Sequence, residues 1–369
     1  YGGYREQSRD IVPSVEEIKE DLKLLAAMDI KILRTYHAYE FQHTANLLKA
    51  IRSLKNDDPA FEMYLMLGIW IECEGAGTPD ANHEKENLLK NTNDVEAAIN
   101  MAQEYPDIVK IIAVGNEAMV HWATSYYVHP KIILKWVNHL QALKAKEEIK
   151  PSIWITSSDN FASWGGGDIS YHNEDLNNLI KAVDYVSIHT YPFHDSHYNP
   201  SYWYVPTDEE KLNELDKINA AMNRAKNYAV RQYEDAASYV FSIDSLKPVH
   251  IGETGWSSIS NSLYGPEGSR AADEYKEKKY YEHMLTWSAQ EKVSCFFFEA
   301  FDEPWKDATN DMGSENHFGL FTVNGEAKYA LWEYVDQGSF EGLTRNGSAI
   351  RKSYQGDINA LLKEVLSPP

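Results

Sequence analysis

Val114-Gly115-Asn116-Glu117 and His250-Ile251-Gly252-Glu253-Thr254-Gly255-Trp256 decide how this chain is read, because each closes an apolar, β-rich run with a glutamate. A (β/α)8 barrel gathers its working side chains at the C-terminal ends of parallel strands that lie far apart in sequence. Outward from these two stretches, strand-like apolar runs cover residues 30–36, 61–71, 109–118, 152–158, 183–191, 248–256 and 293–301. Helical spacing fills the intervals over 14–28, 45–54, 94–104, 130–148, 173–181, 208–239 and 269–290. Strands alternating with helices signal parallel βαβ units, and Ser14 with Glu17 forms a capping box for the first helix. An eighth strand, first in order, would have to end near Tyr1 to Tyr4, so it is expected to be curtailed. An open doubly wound sheet is the competing arrangement, and the glycine-rich phosphate turn G-x-G-x-x-G that usually marks it is absent. The expected fold is therefore α/β, a (β/α)8 TIM barrel forming a single domain over residues 1–369.

A chain of 369 residues with 43% hydrophobic content can fill one large α/β core. Its 35 basic against 56 acidic side chains give a formal charge of −21, which repels phosphate backbones and anionic lipid surfaces. Nucleic acid is thus an unexpected partner and a neutral ligand a better one. The 24 Tyr and 10 Trp supply rings that can stack on the apolar faces of sugars or fill a core. Cys73 and Cys295 each lie in an apolar run and define no disulfide framework; buried thiols are expected. No apolar run reaches about 18 residues, so no membrane-spanning segment is expected. The chain opens without a signal peptide, and an exported protein whose targeting segment lies outside this sequence is the expectation, as is a monomer without a cofactor.

Counting the curtailed strand as first, Glu117 ends the fourth strand and Glu253 the seventh. Inward carboxylates from such strands can approach to roughly 5 Å, the separation that retaining glycosidases use, whereas inverting enzymes need about 6.5–9.5 Å. A salt-bridged strand end is the plain structural alternative for either glutamate alone, and their joint placement argues against it. Glu117 is assigned the acid/base role and Glu253 that of the nucleophile. Asn116 supplies an amide suited to a sugar 2-hydroxyl, a contact that strengthens as the ring approaches its oxocarbenium-like transition state.

Val-Gly-Asn-Glu and Gly-Glu-Thr-Gly-Trp resemble the acid/base and nucleophile motifs of glycoside hydrolase family 17. The resemblance extends to Tyr4-Arg5-Glu6, to Leu33-Arg34-Thr35-Tyr36 and to Phe301-Asp302-Glu303-Pro304-Trp305-Lys306, and covers the order of elements from Tyr1 to about Tyr334. It implies a retaining, endo-acting β-1,3-glucan hydrolase of laminarin type on a (β/α)8 barrel. It also implies that Glu303 and Lys306 line sugar subsites, that Tyr191 touches the nucleophile, and that Arg34 and Tyr36 form the neighbouring floor. Asp159-Asn160-Phe161 departs from the Glu-Pro-Trp of bacterial members. A β-1,3-glucanosyltransferase of the same fold is the alternative, and a non-catalytic glucan-binding barrel, which need not keep both glutamates, is a third reading.

Trp256 and Trp305, beside strand ends, are expected to be platforms for glucose rings, and Tyr36, Trp122, Trp164, Tyr202 and Trp203 to wall an open groove with Trp305. Gly165-Gly166-Gly167 reads as a mobile loop. His189, His194 and His197 are dense enough to raise the question of a metal, but their spacing fits no zinc pattern. Asp307, Asn310, Asp311 and Glu315 read as a solvated loop in place of a calcium site, since their spacing is not that of an EF-hand. Glu299 is a third carboxylate in the site if strand alternation turns it inward.

Overall fold

A computed structural model describes all 369 residues. In chain order the main elements are α1 (Val15–Ala27), β1 (Ile32–Arg34), α2 (His43–Asp57), β2 (Tyr64–Ile69), a hairpin of β3 (Cys73–Glu74) and β4 (Asn82–Glu86), α3 (Leu88–Glu104), β5 (Val109–Asn116), α4 (Pro130–Ala145), β6 (Trp154–Asn160), α5 (Glu174–Ala182), β7 (Val186–His189), α6 (Pro192–Tyr198), α7 (Glu214–Ile243), β8 (Val249–Gly255), α8 (Glu274–Glu291) and β9 (Cys295–Phe298). One seven-stranded sheet runs β1-β2-β5-β6-β7-β8-β9. The pairings from β1 through β8 are parallel. Strands that neighbour one another in the order they leave the chain wind one way, as in the wall of a (β/α) barrel, whereas a doubly wound sheet reverses.

The chain divides into two compact units: Tyr1–Ile30 with Tyr191–Val230 and Thr254–Pro369, and Lys31–Thr190 with Arg231–Glu253. Neither is a continuous stretch. The Lys31–Thr190 unit holds β1 to β7 and β8 as far as Glu253. Its strands read as near-continuous apolar runs, because a parallel strand is covered on both faces: Leu65, Met66, Leu67, Ile69, Ile112, Val114, Ile155, Ile188 and Ile251 are all buried. In the other unit the capping box at Ser14 starts α1, whose buried Asp21 accepts from Arg345 Nε at 2.9 Å, Arg5 Nη2 at 3.1 Å and the Tyr1 hydroxyl at 2.9 Å. That bonding needs Asp21 as an acceptor on an otherwise apolar helix face.

All seven sequence-read strands form, six of them trimmed at their ends and the one read over 152–158 shifted two residues along, to 154–160. The β3–β4 hairpin was not foreseen, since Asn82-His83-Glu84-Lys85-Glu86 shows no apolar alternation. Residues 1–5 form no strand; the Tyr4 amide instead donates to Glu303 Oε1 at 3.2 Å. Gly165 does not belong to a free loop. It is buried at φ +93°, and a Cβ there would sit 2.1 Å from the Tyr239 ring.

Candidate active site

At the end of β5 the backbone turns sharply. Gly115 has φ +83°, the register with β6 shifts between Ala113 and Asn116, and Glu117 takes φ +46°, a left-handed conformation that costs a non-glycine residue on the order of 1 kcal/mol or more. The strained turn is held by the Glu117 amide, which donates to Ser158 O at 3.1 Å. Glu117 Oε1 lies 3.1 Å from Nδ1 of His189, a fully buried ring at the end of β7. His189 pairs in register with Glu253 of β8.

Arg34, at the end of β1 and 4% exposed, joins these groups. Its Nη1 lies 2.7 Å from Glu253 Oε2, 2.9 Å from Gly252 O and 3.2 Å from His189 Nε2, while its Nη2 donates to Asn116 Oδ1 at 2.6 Å. The Tyr36 hydroxyl donates to the same Glu253 oxygen at 2.8 Å. A charged donor and a phenol on one carboxylate oxygen favour its ionised form. Because Arg34 binds the Asn116 oxygen, the amide hydrogens of Asn116 remain for a ligand.

The protonation of His189 follows from its neighbours. A guanidinium can only donate, so Nε2 must turn a lone pair toward Arg34. Ser158 Oγ lies 2.8 Å from Nε2 and 2.8 Å from Ser187 Oγ, so the two hydroxyls extend the polar chain beyond the ring. The remaining proton belongs on Nδ1 and is donated to Glu117 Oε1. A continuous path thus runs Glu117–His189–Arg34–Glu253. Asp159, fully buried behind Glu117, accepts from the Met119 amide at 2.7 Å and from Ser163 Oγ at 2.7 Å. Burial pushes its carboxyl up to about 6, and the charge of Glu117 adds to the rise. The Tyr126 hydroxyl is pushed well above the ordinary phenol range by burial and by the charges of Glu117, Asp159 and Glu253.

Five of the sequence-read site residues are therefore brought together: Arg34, Tyr36, Asn116, Glu117 and Glu253. The sequence reading missed His189 as their link, along with Ser158, Asp159 and Tyr126. The alternation of Ser158, Ser187 and His189 inside apolar strands was the available signal, since polar groups there need internal partners. Tyr36, two residues past the end of β1, is a tyrosine bonded to Glu253. Tyr191 stands edge-on to Phe318, with ring centroids 6.1 Å apart, and beside His194.

In the Tyr1–Ile30 unit, Lys306 Nζ binds Glu299 Oε1 at 2.7 Å and lies 3.7 Å from Glu303 Oε2. Burial pushes the Glu299 carboxyl up to about 8, with Glu303 adding to it and Lys306 opposing. Glu299 is thus buried against a lysine. Trp305 Nε1 donates to Glu303 Oε2 at 3.2 Å, and the Arg9 guanidinium covers its ring at 4.1 Å. Trp256 corrects the expectation of a sugar platform: it is fully buried, with Nε1 donated to Ala271 O at 2.8 Å. Trp164 and Trp203 are likewise buried, bonded through Nε1 to Ser187 O and Ser269 O, and Tyr202 is 6% exposed. An indole N–H inside a core must find a carbonyl, and these three have done so. No three His, Cys, Asp or Glu side chains are grouped to hold a metal ion. No helix is long and apolar enough to cross a membrane.

A model of the BtgE/BtgC glycoside hydrolase domain matches residues 1–319. The crystal structure of an endo-laminarinase from Formosa Hel1_33_131 is similar along the whole chain, with a TM-score of 0.98 and 60% identity over 100% of this chain and 94% of that one. A glycoside hydrolase family 17 β-1,3-glucanosyltransferase from Rhizomucor miehei, 20% identical over 88% of this chain and 93% of its own, shares the fold at a TM-score of 0.58. Among curated proteins, a glucan 1,3-beta-glucosidase of Arthroderma benhamiae is 26% identical over 321 residues, 85% of this chain and 83% of that protein.

Proposed function

The chain belongs to the BtgE/BtgC glycoside hydrolase family, and from that premise we propose that it cuts β-1,3-glucan internally by double displacement, with Glu253 as nucleophile and Glu117 as acid/base. The observation that carries the residue roles is the path Glu117–His189–Arg34–Glu253. It gives the two carboxylates opposite surroundings, which acid/base chemistry at a single pH requires. Glu253 accepts from a guanidinium and a phenol and is held ionised for attack on the anomeric carbon. Glu117 accepts one hydrogen bond, on Oε1, from a neutral imidazole. That leaves Oε2 as the oxygen that would hand a proton to the leaving group. After transfer, the His189 N–H stabilises the new carboxylate, and Glu117 takes a proton from the incoming water as the glycosyl–Glu253 ester is broken.

Substrate class rests on the 60% identical endo-laminarinase together with the glucosidase relatives. The test is stereochemical. Two inversions at one carbon give net retention, so NMR during the first minutes of laminarin cleavage should show β-anomeric reducing ends before mutarotation. Initial α-anomers would rule out a covalent intermediate on Glu253. The same intermediate could pass to an acceptor sugar, and products longer than the starting oligosaccharide would reveal that transfer.

A further inference from the structure

The turn that follows Glu117 carries rings that the reaction above does not use. Both legs of this turn are pinned: the Met119 amide by Asp159 at 2.7 Å, and the Val128 amide by Ala118 O at 2.7 Å. Ala118, Met119 and Val120 are buried, whereas the tip, His121-Trp122, stands in solvent with Trp122 61% exposed. Tyr171, from the segment after β6, stacks on His121 at 4.2 Å and 15°, and its hydroxyl accepts from the His121 amide at 3.0 Å. The ring row continues to Tyr127, 5.5 Å from His121, which stacks on His83 of the β4 strand at 3.7 Å and 10°. Three separate segments thus build one aromatic ledge.

His121, Tyr171, Tyr127 and His83, fixed by one another and by the backbone, lose little freedom when a ligand arrives, and their faces, with the exposed Trp122 ring beside them in sequence, suit the C–H faces of a sugar. Partial desolvation and the neighbouring His129 push His121 toward its uncharged form, against the pull of Asp168, so the ledge suits a neutral ligand. The Tyr171 oxygen already accepts a backbone hydrogen, which leaves its own proton to donate. Position identifies the occupant. His121 lies four residues beyond Glu117, at most about 14 Å along the chain, and Glu117 is the group that protonates the leaving oxygen. We propose that His121, Trp122 and Tyr171 form a subsite for the glucose units on the leaving side of the cleaved bond of a β-1,3-glucan, an assignment that rests on the hydrolase reading above.

The test maps cleavage positions in laminaripentaose and laminarihexaose by mass spectrometry in ¹⁸O-labelled water, for the wild type, Trp122→Ala and Tyr171→Phe. Tyr171→Phe keeps the stacked ring and removes only the hydroxyl, so it guards against loss of folding in the first variant. Cuts leaving two or more units on the leaving side should fall about fivefold in Trp122→Ala relative to cuts leaving one, and less in Tyr171→Phe. The kcat/KM loss for the oligosaccharides should also exceed that for an aryl laminaribioside, whose leaving group carries no sugar. Unchanged cleavage positions in both variants, with a normally active wild type, overturn the subsite and leave the hydrolase reading intact. A wild type inert on every β-1,3-glucan overturns that reading and the subsite with it.

Discussion

Glu117 and His189 illustrate how a side chain acts through its neighbour's proton. Glu117→Gln and Glu253→Gln should each lower laminarin turnover by several orders of magnitude with the fold retained, since one removes proton transfer and the other covalent attack. Near-normal turnover in either variant would overturn the assignment. His189 is a positioning residue and predicts a different signature. His189→Leu removes the donor to Glu117 Oε1, so cleavage of unactivated glucan, which needs full protonation of its leaving oxygen, should fall about 100-fold. Cleavage of an aryl glycoside with a good leaving group should fall much less. His189→Asn, which can place an N–H near the position of Nδ1, should recover part of the loss. Equal losses on both substrates, without recovery in Asn, would mean that His189 serves packing alone.

At the scale of the element, β8 shows why a motif glycine is required. A Cβ on Gly252 would lie 2.0 Å from Ser187 Oγ and 2.4 Å from Ser158 Oγ, both fully buried. These hydroxyls form the relay to His189 Nε2. The substitution Gly252→Ala must therefore either turn the serines away or move β8, and with it Glu253. Overpacking of this kind costs about 1–3 kcal/mol, so the melting temperature should drop by a few degrees. The drop in kcat should be larger, roughly 10-fold or more, because small displacements of a reacting group are felt strongly in rate. A variant with lowered stability but full kcat would show that the serine relay does not position the pair.

Buried carboxyls set the pH dependence of the whole molecule. Burial pushes Asp94 up to about 6, Asp159 to about 6, Glu274 to about 7 and Glu299 to about 8. Each binds its proton more tightly folded than unfolded. The stability this contributes is complete below the unfolded values near 4, and is lost as pH rises through 6 to 8. Glu17 and Glu20 are shifted the other way by hydrogen bonds from Ser14 and from Thr344 and Gly347, which outweigh their burial, so their contribution is lost as pH falls below about 4. Stability should therefore peak near pH 5, and calorimetry should show a melting temperature several degrees lower at pH 8.5. Glu274, bonded to Ser353 Oγ at 2.6 Å and the Tyr329 amide at 2.7 Å and raised to about 7 by burial, contributes to that slope. In Glu274→Gln, whose amide stays neutral and keeps an acceptor, the slope should flatten. An unaltered slope would mean that Glu274 ionises normally in the folded chain.

The strand–helix alternation, the ends of β5 and β8 and the two glutamates were legible in the sequence because periodicity and strand-end placement are local properties. Arg34 and Tyr36 were legible only through family resemblance, as nothing within 33–36 says which carboxylate they meet. The β3–β4 hairpin was not legible, since its charged strand has no apolar pattern, and neither was the burial of Trp164, Trp203 and Trp256. Whether an indole faces solvent depends on which carbonyl folds over its N–H, and that carbonyl can lie as far along the chain as Ala271 lies from Trp256 or Ser269 from Trp203. His189 is the clearest case. The sequence shows a histidine near two others and so raises a metal; only the tertiary structure sets its ring among Arg34 at the end of β1, Ser158 of β6 and Glu117 just past β5, and the side chain takes its proton state from them.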